Sequence, residues 1–191
     1  MKIINPMSTI DDSEIRQIVQ RVIKNVTGVP ENENSPAPIA GKKIVAIGAD
    51  HGGFELKGIL KTEIESLGFD VRDVGTNSKE AVDYPDFAHT VAQSVSTGKV
   101  WRGIMIDGAG IGSCIVANKV PGVRAGMAYD VSSASNSREH NDTNVLTLGA
   151  GLIGVNLAKQ IVKVWLTTEF GGDRHTKRVD KIKSVERMYL K

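Results

Sequence analysis

From residue 42 onward, short apolar runs alternate with stretches in which apolar residues recur every three or four positions. That alternation predicts strand–helix–strand units and a parallel sheet. The runs at 44–48, 69–74, 103–106, 123–128 and 144–148 predict five strands. Helical spacing between them predicts helices at 54–67, 85–96, 111–119, 132–139 and 152–166, with a last one at 177–190. No internal repeat interrupts this order, so the fold class expected is α/β with a five-stranded parallel sheet.

Residues 1–40 follow a different pattern. Ile15, Ile18, Val19, Val22, Ile23 and Val26 recur at helical spacing, while Arg16, Gln17, Gln20, Arg21 and Lys24 fill the opposite face. Asp11 and Glu14 read as a capping box that starts this amphipathic helix, and Gly28 reads as its stop. The Pro-rich, polar stretch from Val29 to Pro38 reads as a linker. A helix this short is marginal alone, so its apolar stripe needs a cover. Two covers fit: its own domain or a sister subunit, or a groove on another protein. The expected organisation is a helical extension over 1–40 and one domain over 41–191.

Composition narrows the function. The 191 residues carry 24 Lys and Arg against 22 Asp and Glu. That near balance gives no single-signed field aimed at nucleic acid, an anionic membrane or an acidic partner. Only 5% of the residues are aromatic, too few for the stacking platforms of single-stranded nucleic-acid binders. The lone Cys114 excludes an intrachain disulfide and a Cys-cluster zinc site, and it fits a reducing cytoplasm. No apolar run approaches the roughly 20 residues of a membrane span, and no signal peptide is evident at the N-terminus. None of the four His forms a helical ligand pair, so no metal is expected.

In a parallel sheet, ligands bind beyond the carboxyl ends of the strands, and the unusual residues are expected there. Asp50-His51-Gly52-Gly53 follows the first strand and sets an acid beside an imidazole, although the same letters also make a turn and helix cap. Asp107-Gly108-Ala109-Gly110-Ile111-Gly112-Ser113-Cys114 follows the third. Counted from Gly108, the sixth position is Ser113 where a dinucleotide fingerprint needs glycine. The loop therefore reads as a small-anion cradle or a tight packing turn. His140-Asn141-Asp142-Thr143-Asn144 precedes the fifth strand. Arg174 and Arg178, four apart around His175, would share a helical face and grip a phosphate together, or else form a solvated basic helix start.

Taken in order, these motifs resemble ribose-5-phosphate isomerase B and its galactose-6-phosphate isomerase relatives. The resemblance runs over residues 42–190 and rests on Asp50-His51-Gly52, Leu56-Lys57, Gly75-Thr76, Asp83-Tyr84-Pro85, the Gly108–Gly112 loop with Ala117-Asn118-Lys119, His140 through Val145, Gly171-Gly172, Arg174-His175 and Arg178-Val179. It implies a three-layer αβα Rossmann-like fold, no metal or cofactor, and a dimer or tetramer whose sites combine two subunits. It also implies interconversion of ribose 5-phosphate and ribulose 5-phosphate through an enediolate. By resemblance, Asp50 and His140 open the sugar ring, with His140 supplied by the partner. Gly108, Gly110 and Gly112 hold the enediolate oxygen, and Tyr84 and Asn141 orient hydroxyls. His51, Arg174, His175 and Arg178 bind phosphate.

Three departures from that pattern involve four positions. Asp107 stands where many relatives place a catalytic Cys, and Ser113 where others place a Glu. Asp107 is then the expected base. Cys114 is the second candidate, because a helix N-terminus favours a thiolate, and its alternative is a buried small hydrophobe. Ala109 replaces a hydroxyl residue, and Gly151 stands where relatives carry an Arg for the phosphate. These departures keep two alternatives open: a hexose 6-phosphate isomerase, and a binding-only sugar-phosphate sensor. The N-terminal extension resembles the encapsulation peptides of bacterial microcompartment enzymes, which would make residues 11–27 an address for a shell protein.

Overall fold

Two-sided burial shapes the sheet, as expected for parallel strands covered by helices. The structure is a computed structural model describing residues 42–189, so the expected extension helix lies outside the described residues. The strands are β1 (Ile44–Ala49), β2 (Asp70–Asp73), β3 (Arg102–Asp107), β4 (Ala125–Met127) and β5 (Val145–Gly149). The helices are α1 (Phe54–Ser66), α2 (Tyr84–Ser96), α3 (Ile111–Ala117), α4 (Val131–Asn141), α5 (Val155–Thr167) and α6 (Asp173–Tyr189). All strand pairs are parallel, in the order β2-β1-β3-β5-β4. Strand alternation sends Ile47, Ile104, Ile106, Leu146 and Leu148 to one face, where Leu60 and Ile64 of α1 and Ile161 and Trp165 of α5 cover them. Ala46, Met105 and Val145 face the other side, against Val91 and Ala92 of α2 and Ala117 of α3. This is the expected three-layer Rossmann-like arrangement.

The elements differ from expectation mainly at their ends. β4 keeps only three residues, and α3 stops at Ala117 because the Asn118 side chain takes over: its amide donates to the carbonyls of Cys114 and Ala125, and its oxygen accepts from the Ala125 N–H. α5 starts at Val155 rather than 152, since Leu152 and Ile153 turn back to the Gly149 carbonyl first. α6 starts at Asp173, four residues earlier than expected, which puts Arg174, His175 and Arg178 on one helix.

Two buried arginines fix the far corner of the sheet. Arg102 lies over the Trp101 ring at 3.9 Å and donates to the carbonyls of Trp165 and Leu166, closing the C-terminal end of α5. Burial lowers its pKa to about 10, with neighbouring Arg138 adding to the fall, so it remains charged at neutral pH. Arg138 donates to Asp142, to the Thr143 carbonyl and to the Thr168 carbonyl. Arg124 holds the other oxygen of Asp142 at 2.7 Å, so one carboxylate joins α4 to the residue before β4.

Candidate functional site

The strand order reverses at β1: the chain moves from β1 to β2 on one side, then returns to β3 on the other. The loop after β1 leads into α1 on one face and the loop after β3 into α3 on the opposite face, which opens a crevice between them. Asp50 stands at this switch point, buried, with its N–H on the Ile106 carbonyl and Oδ1 accepting from the Gly53 N–H at 3.1 Å. A Cβ built on Gly52 would lie 3.3 Å from Asp50 Oδ1 and 3.6 Å from the Gly108 nitrogen. The Asp50 carboxylate and the Gly108 nitrogen therefore lie close together, flanking Gly52. His51 is exposed, and its Nδ1 accepts from the Val82 N–H at 3.2 Å, so the neutral ring carries its proton on Nε2. Tyr84 closes the crevice by laying its ring on Gly112, where any Cβ would come within 2.5 Å of the ring.

Asp107 is where sequence reasoning and geometry part. Its carboxylate is 5% exposed and turned into its own loop. Oδ1 accepts from the N–H groups of Ala109 and Gly110, and Oδ2 accepts from the N–H and the hydroxyl of Ser113. Four donors occupy the roughly four lone-pair sites of a carboxylate, leaving none for a ligand. The expected cradle is altered too. Gly110, with φ 79, spends its N–H on Asp107, whereas Gly108 and Gly112 have no N–H acceptor outside the helices and strands among the described residues.

Cys114 is half-buried, with Sγ 3.5 Å from the Ala125 carbonyl. Burial raises its thiol pKa, outweighing the lowering contacts from Thr147, Met127 and Asn118. Of the two readings of Cys114, a thiolate at a helix N-terminus and a buried small side chain, these surroundings favour the second.

His140, Asn141, Arg174, His175 and Arg178 do not join this crevice within the chain. α4 leaves the carboxyl end of β4 and returns to the amino end of β5, so its last residues stand at the opposite edge of the sheet. Eleven residues of helix make that return roughly 16 Å long. There the His140 and His175 rings stack at 4.2 Å between centroids, and Asn136 meets His140 Nδ1 at 3.0 Å. Arg174 donates from Nε to His175 Nε2 at 3.3 Å. Arg174 and Arg178 are exposed, and among the described residues neither guanidinium is in a salt bridge. Asn141 is also exposed and lines a neighbouring groove between β4, α4 and α6. Sequence reasoning missed the clamp made by Ser113 and the support of Asn136; the latter was readable as a polar residue four positions before His140 on a helix.

Fold and site together define an α/β protein with a switch-point crevice at one end of the sheet and an exposed cationic cluster at the other. The chain belongs to the ribose/galactose isomerase family, whose model matches residues 45–182. It is 45% identical to ribose-5-phosphate isomerase B of Escherichia coli, over 75% of this chain and 97% of that protein. It is 42% identical to D-erythrulose-4-phosphate isomerase of Pectobacterium atrosepticum, over 72% of this chain and 91% of that protein. The solved ribose-5-phosphate isomerase B of Clostridium thermocellum superposes with a TM-score of 0.75 at 47% identity, covering 76% of this chain and 99% of that one.

The histidine stack generates a pH prediction. Burial lowers the pKa of His175, and His140, Arg174 and Arg178 add to the fall against an opposing pull from Glu139. The unfolded chain then takes up this proton first as pH falls, so the contribution to stability is full above about pH 6.5 and is lost on acidification. Thermal midpoints measured between about pH 8 and pH 5 should fall more for the wild type than for His175→Asn. Parallel curves would contradict the assignment.

Proposed function

We propose that this chain is an aldose–ketose isomerase that interconverts ribose 5-phosphate and ribulose 5-phosphate through an enediolate. The observation that carries this reading is the pairing of two half-sites: a buried carboxylate bordering an amide at one sheet edge, and a salt-bridge-free arginine pair with stacked imidazoles at the other. A phosphorylated sugar needs both, since proton transfer at carbon calls for a carboxylate and a nearby oxyanion donor, and the phosphate calls for local cations. The 45% identity to a ribose-5-phosphate isomerase B supports the sugar and the reaction.

In this reading the sugar lies in the crevice. Asp50 and His140 transfer the protons of ring opening, Gly108 and Gly112 donate to the enediolate oxygen, and Tyr84 and Asn141 orient hydroxyls. His51, Arg174, His175 and Arg178 hold the phosphate. Because the cationic cluster lies at the far sheet edge of its own chain, each working site takes it from a second copy in a homodimer. Ile111 and Ile115 of α3, Tyr129, Leu152 and Val155 are all exposed apolar residues of the kind that association would cover.

Purified protein should isomerise ribose 5-phosphate in preference to hexose 6-phosphates. Arg174→Ala should raise KM about tenfold or more, the cost of one charge-assisted hydrogen bond to the phosphate. Ligand-induced thermal stabilisation with no turnover of any sugar phosphate would instead identify a sensor.

For the N-terminal extension we propose an encapsulation peptide, supported by the apolar stripe from Ile15 to Val26 and the Pro-rich linker that follows it. Removing residues 1–40 should abolish co-purification with co-expressed microcompartment shell proteins and leave isomerase activity intact. Loss of the folded, active enzyme would overturn the targeting role.

A further inference from the structure

The family position that carries a Cys in many relatives holds Asp107 here, and an acid at the end of a central strand looks like a replacement base. Its surroundings argue otherwise. A base must offer a lone pair to the hydrogen it removes, and Asp107 has committed its carboxylate to Ala109, Gly110 and both donors of Ser113. Taking a proton from carbon would require one of those bonds to break and the loop beside the reacting atoms to loosen.

Asp50 has the opposite environment. It accepts a single side-chain hydrogen bond, from the Gly53 N–H onto Oδ1, and among the described residues no donor claims Oδ2. It also lies close to the Gly108 nitrogen, the two flanking Gly52. A carboxylate with one free oxygen close to a backbone N–H is the pairing that proton abstraction next to a carbonyl requires.

We propose that Asp50 is the base that moves hydrogen between the two sugar carbons, and that Asp107 is a positioning residue that fixes the loop carrying the Gly108 N–H. The assignment rests on the isomerase reading. After ring opening, Asp50 has released to solvent the proton it took from the sugar hydroxyl. Its carboxylate then removes the hydrogen from C2, the C2–H electrons form the C1=C2 bond, and the carbonyl electrons move onto O1, which the Gly108 N–H holds. The O2 proton passes to O1 across the planar enediolate. Electrons from O2 form the new C2 carbonyl, and C1 takes the proton back from Asp50. No co-reactant is needed. Asp107 acts through the backbone: its two oxygens tie Ala109, Gly110 and Ser113, which follow Gly108, back to the end of β3, so the Gly108 amide between them cannot swing away as charge develops on O1.

The test compares Asp50→Ala, Asp107→Ala and Ser113→Ala on ribose 5-phosphate, with pH profiles and with added formate. Asp50→Ala should lose about 10²- to 10⁴-fold in kcat and regain part of it in formate, which supplies the missing carboxylate. Asp107→Ala should lose activity that formate does not restore. Ser113→Ala keeps the Asp107 carboxylate but removes one of the two donors on its Oδ2; its rate should fall while the acid limb of its profile stays at the wild-type position. Formate rescue of Asp107→Ala alone, or an acid limb that moves in Ser113→Ala, would overturn the assignment while leaving the isomerase intact. A wild type inactive on every aldose phosphate would remove the isomerase reading and this assignment together.

Discussion

A helix that follows a parallel strand carries the chain back to the opposite edge of the sheet, and that constraint divides the chemistry of this protein in two. β1 and β3 deliver Asp50 and the Gly108 loop to the carboxyl edge. α4 delivers His140 and Asn141 to the amino edge, and α6 brings Arg174, His175 and Arg178 beside them through the histidine stack. Neither half is a complete site for a phosphorylated sugar. In the proposed homodimer, a two-fold axis sets the amino edge of one chain against the carboxyl edge of the other twice over.

Each half is held by a carboxylate that gathers several donors. At the carboxyl edge the Asp107 carboxylate gathers three backbone N–H groups and a hydroxyl into one clamp. At the amino edge Asp142 is shared by Arg124 and Arg138, and Arg138 and Arg102 both reach toward the end of α5. Losing Asp142 would leave the buried Arg138 guanidinium without its counter-ion. Such groups act as registers. They fix which backbone conformation the glycine loop and the α4–β5 corner adopt, and so where His140 and the Gly108 N–H stand.

The pattern of apolar runs was sufficient for five strands and six helices, because the central strands, buried on both faces, are written as continuous runs; the three layers were implied by the family resemblance. It was weaker where a side chain replaces a backbone bond: Asn118 ends α3 early, and residues 150–154 turn before α5 begins. The individual site residues were legible as residue types, since an Asp-His pair, a glycine-rich loop and two arginines four apart each suggest chemistry. What the sequence could not convey was direction. His140 follows the loops of the crevice in sequence, yet helix α4 takes it to the other edge. The fate of Asp107 was hidden as well, because it depends on a loop curling back so that Ser113, six residues on, closes over it. The His140–His175 stack joins two helices that share no local sequence signal.

The central claim is that a working site takes its carboxylate from one chain and its imidazole from another. Co-expression of Asp50→Asn and His140→Asn chains under two different tags, with purification through both tags, isolates the mixed dimer. Each parent homodimer should be inactive, and the mixed dimer should recover about half the wild-type turnover, because one of its two sites then contains neither substitution. A mixed dimer as inactive as its parents, or full activity in a monomer, would contradict the account.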